Sequence, residues 1–386
     1  MSALRVAVYL DQAFWRDQEG VTTRRSFVVF LDAVAASFDR VLLLGRVAPE
    51  AGRADYAVPG NLEFVALPWY RNAADPIQVA RALAGSVRRF WRVLRDVDMV
   101  WLFGPQPVAI AFAALAALRG RKVVLGVRQD LPAYARHRHP GRRLVHLAAD
   151  ALEAAFRLLG RRCSVVVVGP GLARGYRHSR RLLEASVSLV RADQVVDEAV
   201  PAARAYDGPL RLLSVGRLDA EKNPLLLADI LQRLVADDGR WRLVVCGDGP
   251  LEADLAARLR ELGLEGNAEL RGHVPITDGL VDLYRGSHAF LHVSWTEGVP
   301  QVLFEAFAAG LPVVATAVGG VAQAAGDAAL LVGPGDAEAP ARELRRIAAD
   351  PALRERLGSA ARARALAHTQ EAEAGRVAAF LSGAAA

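Results

Sequence analysis

The sequence predicts an α/β protein made of two doubly wound units, each built on a parallel sheet. Short runs rich in Val and Leu alternate with amphipathic stretches, as strands buried on both faces alternate with crossover helices. The alternation pauses once, over Val190 to Pro209, where acidic residues and prolines collect, and then restarts. The length of 386 residues, 53% of them hydrophobic, also exceeds one ordinary domain of about 100 to 200 residues.

Taken in order, the first strand is Arg5 to Leu10. Its five apolar residues end at Asp11, too few for a secretory signal, so the segment reads as a buried strand. Strands at Arg40 to Gly45, Leu62 to Leu67, Met99 to Phe103, Lys122 to Val127 and Ser164 to Val168 follow. The helices between them are Ser26 to Ser37, Pro76 to Arg95, Val108 to Arg119 and Leu144 to Leu159. Met99 to Leu118 carries no charge over a length that could span a bilayer, but Gly104-Pro105-Gln106-Pro107 cuts it into a strand and a helix too short to cross. Strands of the second unit are Leu210 to Val215, Trp241 to Cys246, Ala268 to Arg271, Ala289 to His292, Val313 to Thr316 and Ala329 to Val332. The expected division is residues 1–190, a linker at 191–208, residues 209–365, and a terminal helix at 366–386 packing back on the first unit. Two such Rossmann-like units are expected to face each other across a cleft, because open parallel sheets bind ligands beyond the carboxyl ends of their strands.

Cys163 and Cys246, the only cysteines, lie in apolar runs and fit no disulfide framework or metal-ligand spacing, which suits a reducing cytoplasm. Charge is unevenly divided: residues 1–190 carry a net +13 and residues 191–386 a net −7. Arg88, Arg89, Arg92 and Arg95 recur at helical spacing, and Arg136, His137, Arg138, His139, Arg142 and Arg143 form a dense basic segment. An anionic partner follows from the charge, whether lipid headgroup, phosphorylated acceptor or nucleic acid; a solvated arginine-rich face is the plain alternative.

Two segments carry chemistry. After the strand Leu212 to Val215 comes Gly216-Arg217-Leu218-Asp219-Ala220-Glu221-Lys222-Asn223-Pro224, a cation pair between a strand end and a helix that Asn223 can cap. Arginine can hold a phosphate bidentately and lysine can reach it as a point charge. Only Lys122 and Lys222 are lysines among 48 basic residues, so a lysine here is a departure from the chain's habit. The second segment runs from Ser294 to Gly310. Pro300 suits a helix start, whose amides could bind a pyrophosphate next to Glu297. Glu305 then falls on a helix that is apolar nearly all round, where a carboxylate needs a partner; a sugar diol or an arginine would serve. The plain alternatives are surface cations at Arg217 and Lys222, a structural salt bridge at Glu305 and a loop-surface Glu297.

With these residues in place, the chain resembles the retaining glycosyltransferases of family 4, which have the two-domain, metal-independent GT-B fold. The matching pieces are Gly216-Arg217 with Glu221-Lys222-Asn223-Pro224, Cys246-Gly247-Asp248-Gly249-Pro250-Leu251, Gly272-His273-Val274, the pair Glu297 and Glu305, Gly310-Leu311-Pro312-Val313-Val314-Ala315, and Gly319-Gly320. They occur in order over residues 210–336. The resemblance implies that Arg217 and Lys222 neutralise a donor diphosphate, that Glu305 holds ribose hydroxyls and that Glu297 holds hydroxyls of the donor sugar. It places backbone at His273 and Val274 near the base, and amides around Gly216, Gly298, Val299, Gln301 and Val302 near sugar and phosphate. Members of the family often have two glycines in the first strand-to-helix loop, where this chain has Gly20 alone; its loop is still expected to approach the phosphates of the donor. Where many have a histidine near the reacting sugar, it has Arg128-Gln129-Asp130, so Asp130 could take the acceptor proton or orient its hydroxyl; a salt bridge to Arg128 or Arg136 is the alternative.

Three tempting signals are declined. Asp96-Val97-Asp98 mimics a metal site but leads into a strand, Gly169-Pro170-Gly171 reads as a turn, and His288 and His292 read as structural. The function implied is transfer of a sugar from a nucleoside-diphosphate sugar to a hydroxyl acceptor with retained anomeric configuration. No cofactor and no metal are expected. A lipid-linked anionic acceptor and an anionic membrane surface are the partners that the basic first unit suggests, nucleic acid is not expected, and the setting is cytoplasmic, at the inner face of the membrane. The rival readings are a nucleotide-sugar epimerase on the same architecture and a non-catalytic membrane- or polyanion-binding protein.

Overall fold

A computed structural model describes residues 2–70 and 76–385. The chain divides into two compact units, residues 1–187 with 370–386 and residues 188–369.

Among the described residues the first unit holds nine strands: β1 (Ser2–Arg16), β2 (Val21–Thr23), β3 (Phe38–Val47), β4 (Tyr56–Ala57), β5 (Leu62–Leu67), β6 (Met99–Gly104), β7 (Lys122–Val127), β8 (Ser164–Val168) and β9 (Arg181–Ala185). Seven are parallel, in the order β5-β3-β1-β6-β7-β8-β9. Strands β2 and β4 form an antiparallel ribbon on the far end of β1. Phe90, Phe112 and Phe156 fill the core against this sheet, and the Phe90 and Phe112 rings stack with centroids 3.9 Å apart.

Several expectations need correction. Strand β1 continues past Leu10 to Arg16, because a register shift between Tyr9 and Ala13 lets it keep pairing with β3, and Asp11 is accommodated by Arg46 at 2.9 Å. Gly20 therefore lies in a hairpin turn between β1 and β2 and not in a strand-to-helix loop; its amide donates to the Asp17 carboxylate at 3.0 Å. Gly169 precedes a short helix, Pro170–Gly175, where a turn is expected from sequence. Asp98 is engaged by Arg5 at 2.9 Å. The last helix, Gln370–Ala385, lies in the first unit, where the Gln370 side-chain amide donates to the Val29 carbonyl at 2.8 Å.

The second unit is a six-stranded parallel sheet in the order β12-β11-β10-β13-β14-β15. Its strands are β10 (Leu210–Val215), β11 (Trp241–Cys246), β12 (Ala268–Leu270), β13 (Ala289–His292), β14 (Val313–Thr316) and β15 (Ala329–Val332). Five of the six have the bounds expected from sequence, since each is a short, predominantly apolar run rich in Val, Leu or Ala. Residues 191–208 lie within this unit and include a short helix, Ala199–Ala202; the Val196 amide donates to the Ala308 carbonyl at 2.8 Å. Chain order reverses between β10 and β13, so the carboxyl ends of these two strands form the switch point where such sheets bind ligands.

Candidate functional site

The loop leaving β10 carries Gly216 and Arg217; the loop leaving β13 carries Ser294 to Pro300. Both segments expected to do chemistry thus arise at the switch point. A backbone bond from the Trp295 amide to the Glu221 carbonyl, 2.9 Å, ties them together.

Glycine makes these loops possible by letting backbone approach backbone. A Cβ on Gly247 would sit 1.9 Å from the Gly216 carbonyl oxygen. The Leu218 amide then donates to the Asp248 carbonyl at 2.8 Å, fixing the loop that bears Arg217. Gly319, at φ +54°, packs so tightly on the Glu297 carbonyl that a Cβ would fall 1.8 Å from its oxygen. The Gly320 amide donates to the Gly298 carbonyl at 2.8 Å. The two pairs of glycines that carry the family resemblance therefore hold the two candidate loops.

Within this frame Lys222 and Glu297, 75 residues apart, meet. The Lys222 Nζ donates to Glu297 Oε1 at 2.5 Å, the Ser294 hydroxyl donates to the same oxygen at 2.7 Å, and His292 Nε2 faces it at 3.1 Å. Glu297 is 8% exposed, and its Oε2 takes no bond from a described residue. Burial alone would raise its pKa, but the His292 contact and the Lys222 charge outweigh that and hold the carboxyl well below its ordinary range. Glu297 is thus a buried, bonded carboxylate, not a loop-surface one.

Arg217 is positioned by groups that sequence reasoning passed over. Its guanidinium pairs with Asp219 and donates to Glu221 Oε1 at 2.9 Å, and both carboxylates are buried. Lys222 ends a 3-10 turn at Ala220–Lys222. Asn223 follows with left-handed φ of 53°; the side-chain cap expected of it is not formed, and Pro224 occupies the cap position of helix Leu225–Asp237.

Pro300 precedes the helix Gln301–Ala308 as expected, placing Gly298, Val299, Gln301 and Val302 at its start. Glu305 lies one turn further in and is buried. Its described partner is neither a diol nor an arginine but the Tyr284 hydroxyl, which donates to Oε2 at 2.8 Å. Burial pushes the Glu305 pKa up to about 7, against the lowering effect of that single bond. Glu305 also lines a pocket with Tyr284, Arg285, Gln194 and Ile276. His273 and Val274 follow β12 at the same sheet edge, where the Gly272 carbonyl accepts from the Gly247 amide at 2.7 Å.

Asp130 belongs to the first unit. Its carboxylate caps the helix Leu131–Arg138 by accepting from the Ala133 amide at 2.9 Å. Neither anticipated salt bridge forms: Arg136 pairs with Asp150 at 2.8 Å, and Arg128 lies over the Phe27 ring at 3.8 Å. Gly20 is likewise on the first unit. Of the two declined histidines, His288 is structural, its ring bonded to the Arg211 amide at 2.9 Å, whereas His292 faces the site. A histidine closing an otherwise apolar strand two residues before Ser294 was the available signal. Cys163 and Cys246 are buried free thiols, and among the described residues no three His, Cys, Asp or Glu side chains converge as metal ligands would.

Residues 196–364 match the family described as glycosyl transferases group 1. The chain is 39% identical over 160 residues to D-inositol 3-phosphate glycosyltransferase of Streptomyces bingchenggensis, covering 39% of this chain and 35% of that protein. It is 24% identical over 316 residues to sulfoquinovosyl transferase SQD2 of Arabidopsis thaliana, covering 76% and 57%. It therefore spans less than two thirds of the length of either relative. Among solved structures, HepE of Anabaena in complex with UDP matches with a TM-score of 0.73 at 16% identity, covering 98% of this chain and 100% of that one. That likeness carries the expected fold class, two Rossmann-like domains of the GT-B type. The loop glycines, the cations Arg217 and Lys222 and the paired glutamates all fall within residues 196–364, the span that matches the glycosyl transferases group 1 family.

Proposed function

We propose that this protein transfers a sugar from a nucleoside-diphosphate sugar to a hydroxyl acceptor, with retention at the anomeric carbon. The observation that carries the reading is the convergence of Lys222, His292 and Ser294 on one oxygen of a buried Glu297 at the switch point of the second unit. Glu297 Oε2 is the acceptor atom offered to a sugar hydroxyl. Arg217 and Lys222 supply positive charge where a diphosphate leaving group develops negative charge, the form of catalysis in which fixed electrostatics lowers the barrier. Glu305, charged above about pH 7, suits the ribose hydroxyls. Asp130, the acceptor-side residue expected from sequence, is engaged as a helix cap by the Ala133 amide, and no chemical step is assigned to it. No residue is assigned as a nucleophile, and no metal or cofactor is assigned a role. The relatives' names share glycosyl transfer and differ in the group transferred, so they leave sugar and acceptor open.

The net +13 of residues 1–190 supports an anionic acceptor or surface. Two buried free thiols support a reducing, cytoplasmic setting.

Lys222→Ala tests the assignment. Turnover of a nucleotide sugar should fall mainly in kcat, by about 100-fold or more. Unchanged turnover overturns it. NMR of the product decides the stereochemistry, and inversion ends the retaining reading. Conversion of the donor with no acceptor present would instead identify an epimerase.

A further inference from the structure

The four most exposed large apolar side chains of the described residues are Leu144 (82%), Leu118 (77%), Leu147 (65%) and Leu158 (63%). All four lie on two helices of the first unit, Pro107–Leu118 and Arg143–Gly160. These helices connect β6 to β7 and β7 to β8, neighbouring parallel strands. Right-handed crossovers therefore put both on one side of the sheet, and Phe112 and Phe156 meet there in a common core.

The outer face of Arg143–Gly160 is unlike a solvated one. At about 100° per residue, Leu144, Leu147, Leu158 and the exposed alanines between them fall within an arc of about 120°. That arc holds no polar residue. The opposite face buries Ala149, Phe156 and Gly160 together with Glu153, which pairs with Arg157 at 2.8 Å, so it is the exposed arc, and not the buried face, that lacks any polar residue. Its neighbour Pro107–Leu118 has no charged residue in 12 positions and exposes Ala111, Ala114, Ala117 and Leu118. Charge reappears at the ends: Arg142 and Arg143 at one, Arg161 and Arg162 at the other, all exposed and none paired with a carboxylate among the described residues.

We propose that this arginine-ended, two-helix apolar face docks on an anionic lipid bilayer, lying in the interface with its leucines among the acyl chains. Apolar area with cations at its margin is the chemistry that binds an anionic membrane surface. A second copy of the chain fits less well, because a two-fold contact would set the arginine ends of one copy against those of the other, and Asp150, the helix's surface carboxylate, is already engaged by Arg136. Docking lies in the plane of the membrane, since no helix of the described residues is long and apolar enough to cross one. The proposal stands apart from glycosyl transfer, as it uses none of the residues of the candidate site.

Flotation with phosphatidylglycerol-containing vesicles, compared with pure phosphatidylcholine vesicles, tests it. Wild-type protein should float with the anionic vesicles and release as salt rises. Leu144→Glu/Leu147→Glu should weaken binding by at least about tenfold, while Leu331→Glu, an exposed position on the second unit, should not. Unchanged circular dichroism melting and donor turnover in vesicle-free buffer separate lost docking from lost folding. Absence of flotation at low salt, equal flotation of the double variant, or a concentration-dependent dimer abolished by the double variant would each overturn the proposal.

Discussion

Glu297 and Glu305 lie eight positions apart, both buried, yet the protein treats them in opposite ways. Glu297 accepts from a lysine and a serine hydroxyl on a single oxygen, has a histidine ring nitrogen 3.1 Å from that oxygen, and is held as a carboxylate. Glu305 receives one tyrosine hydroxyl, and burial brings it to about pH 7. The contrast shows that the loop after β13 is preorganised around a fixed negative charge, whereas the helix behind it holds a carboxyl whose charge awaits a further donor. A ligand presenting hydroxyls to Glu305 would supply one.

The largest effect that could break this contrast is expected from Glu297→Gln. The substitution leaves the Lys222 ammonium partly buried without its counterion and should cost about 2–4 kcal/mol of stability near pH 7. The sign in pH follows from the depressed pKa. The stabilisation is present above the ordinary value of 4.5 and is lost as pH falls below it, so wild type and variant should converge in acid. Denaturant melts at pH 7, pH 4 and pH 2.5 check this, with most of the convergence expected between the last two; a difference that does not shrink toward pH 2.5 would show that Glu297 is not held as a carboxylate.

Glu305→Gln should do the reverse. A folded pKa of about 7 against an ordinary 4.5 means that the folded state holds a proton the unfolded chain has released. Stability from this group therefore declines as pH rises from about 4.5 to about 7 and stays low above that, a cost of about 3 kcal/mol. Gln at 305 should recover much of it at pH 8 and flatten the profile between pH 5 and 7. A nucleotide sugar, whose diphosphate does not titrate in that range, should bind wild type more tightly at pH 8 than at pH 6. In the Gln variant that dependence should vanish. Equal pH profiles for wild type and variant would remove the contrast between the two glutamates.

A smaller disturbance sharpens the comparison from the backbone. Gly319→Ala places a methyl against the Glu297 carbonyl at a left-handed φ, and we expect a loss of about 1–3 kcal/mol with weakened donor binding. Gly20, whose Cβ would meet nothing within 4 Å, is the steric control, although its φ of 141° still strains an alanine there.

How far the sequence disclosed all this depended on locality. The strands of the second unit are apolar runs with sharp ends, so their bounds were readable. In the first unit, Val21-Thr22-Thr23 and Arg181-Leu182-Leu183-Glu184-Ala185 are short and mixed, and only pairing with β1 and β8 makes them strands. The candidate residues were legible by type and spacing. Their mutual bonds were not, because the meeting of Lys222 with Glu297 follows from β10 lying beside β13, which is a property of the sheet. His292 was hidden for the same reason: in a buried strand its polarity has no visible partner until the chain turns back at Glu297. Asp219 and Glu221 carry no signal of type or spacing that sets them apart, and it is the fold that buries them against Arg217.

The smallest effect is expected at Asp130, which contrasts with both glutamates by lying exposed on the first unit with one oxygen on a helix-start amide. Removing such a cap costs about 0.5–2 kcal/mol, while serine, which caps equally well, should cost only a few tenths. Asp130→Ser thus separates two roles in one residue. A capping role predicts wild-type stability with turnover preserved in Asp130→Ser and a modest loss of stability in Asp130→Ala. A role in taking the acceptor proton predicts wild-type stability in Asp130→Ser with kcat reduced by about 100-fold or more, since a hydroxyl cannot accept a proton as a carboxylate does. The bond to Ala133 leads us to expect the first outcome. If the second is found, the comparison must be redrawn with a reactive carboxylate on each unit.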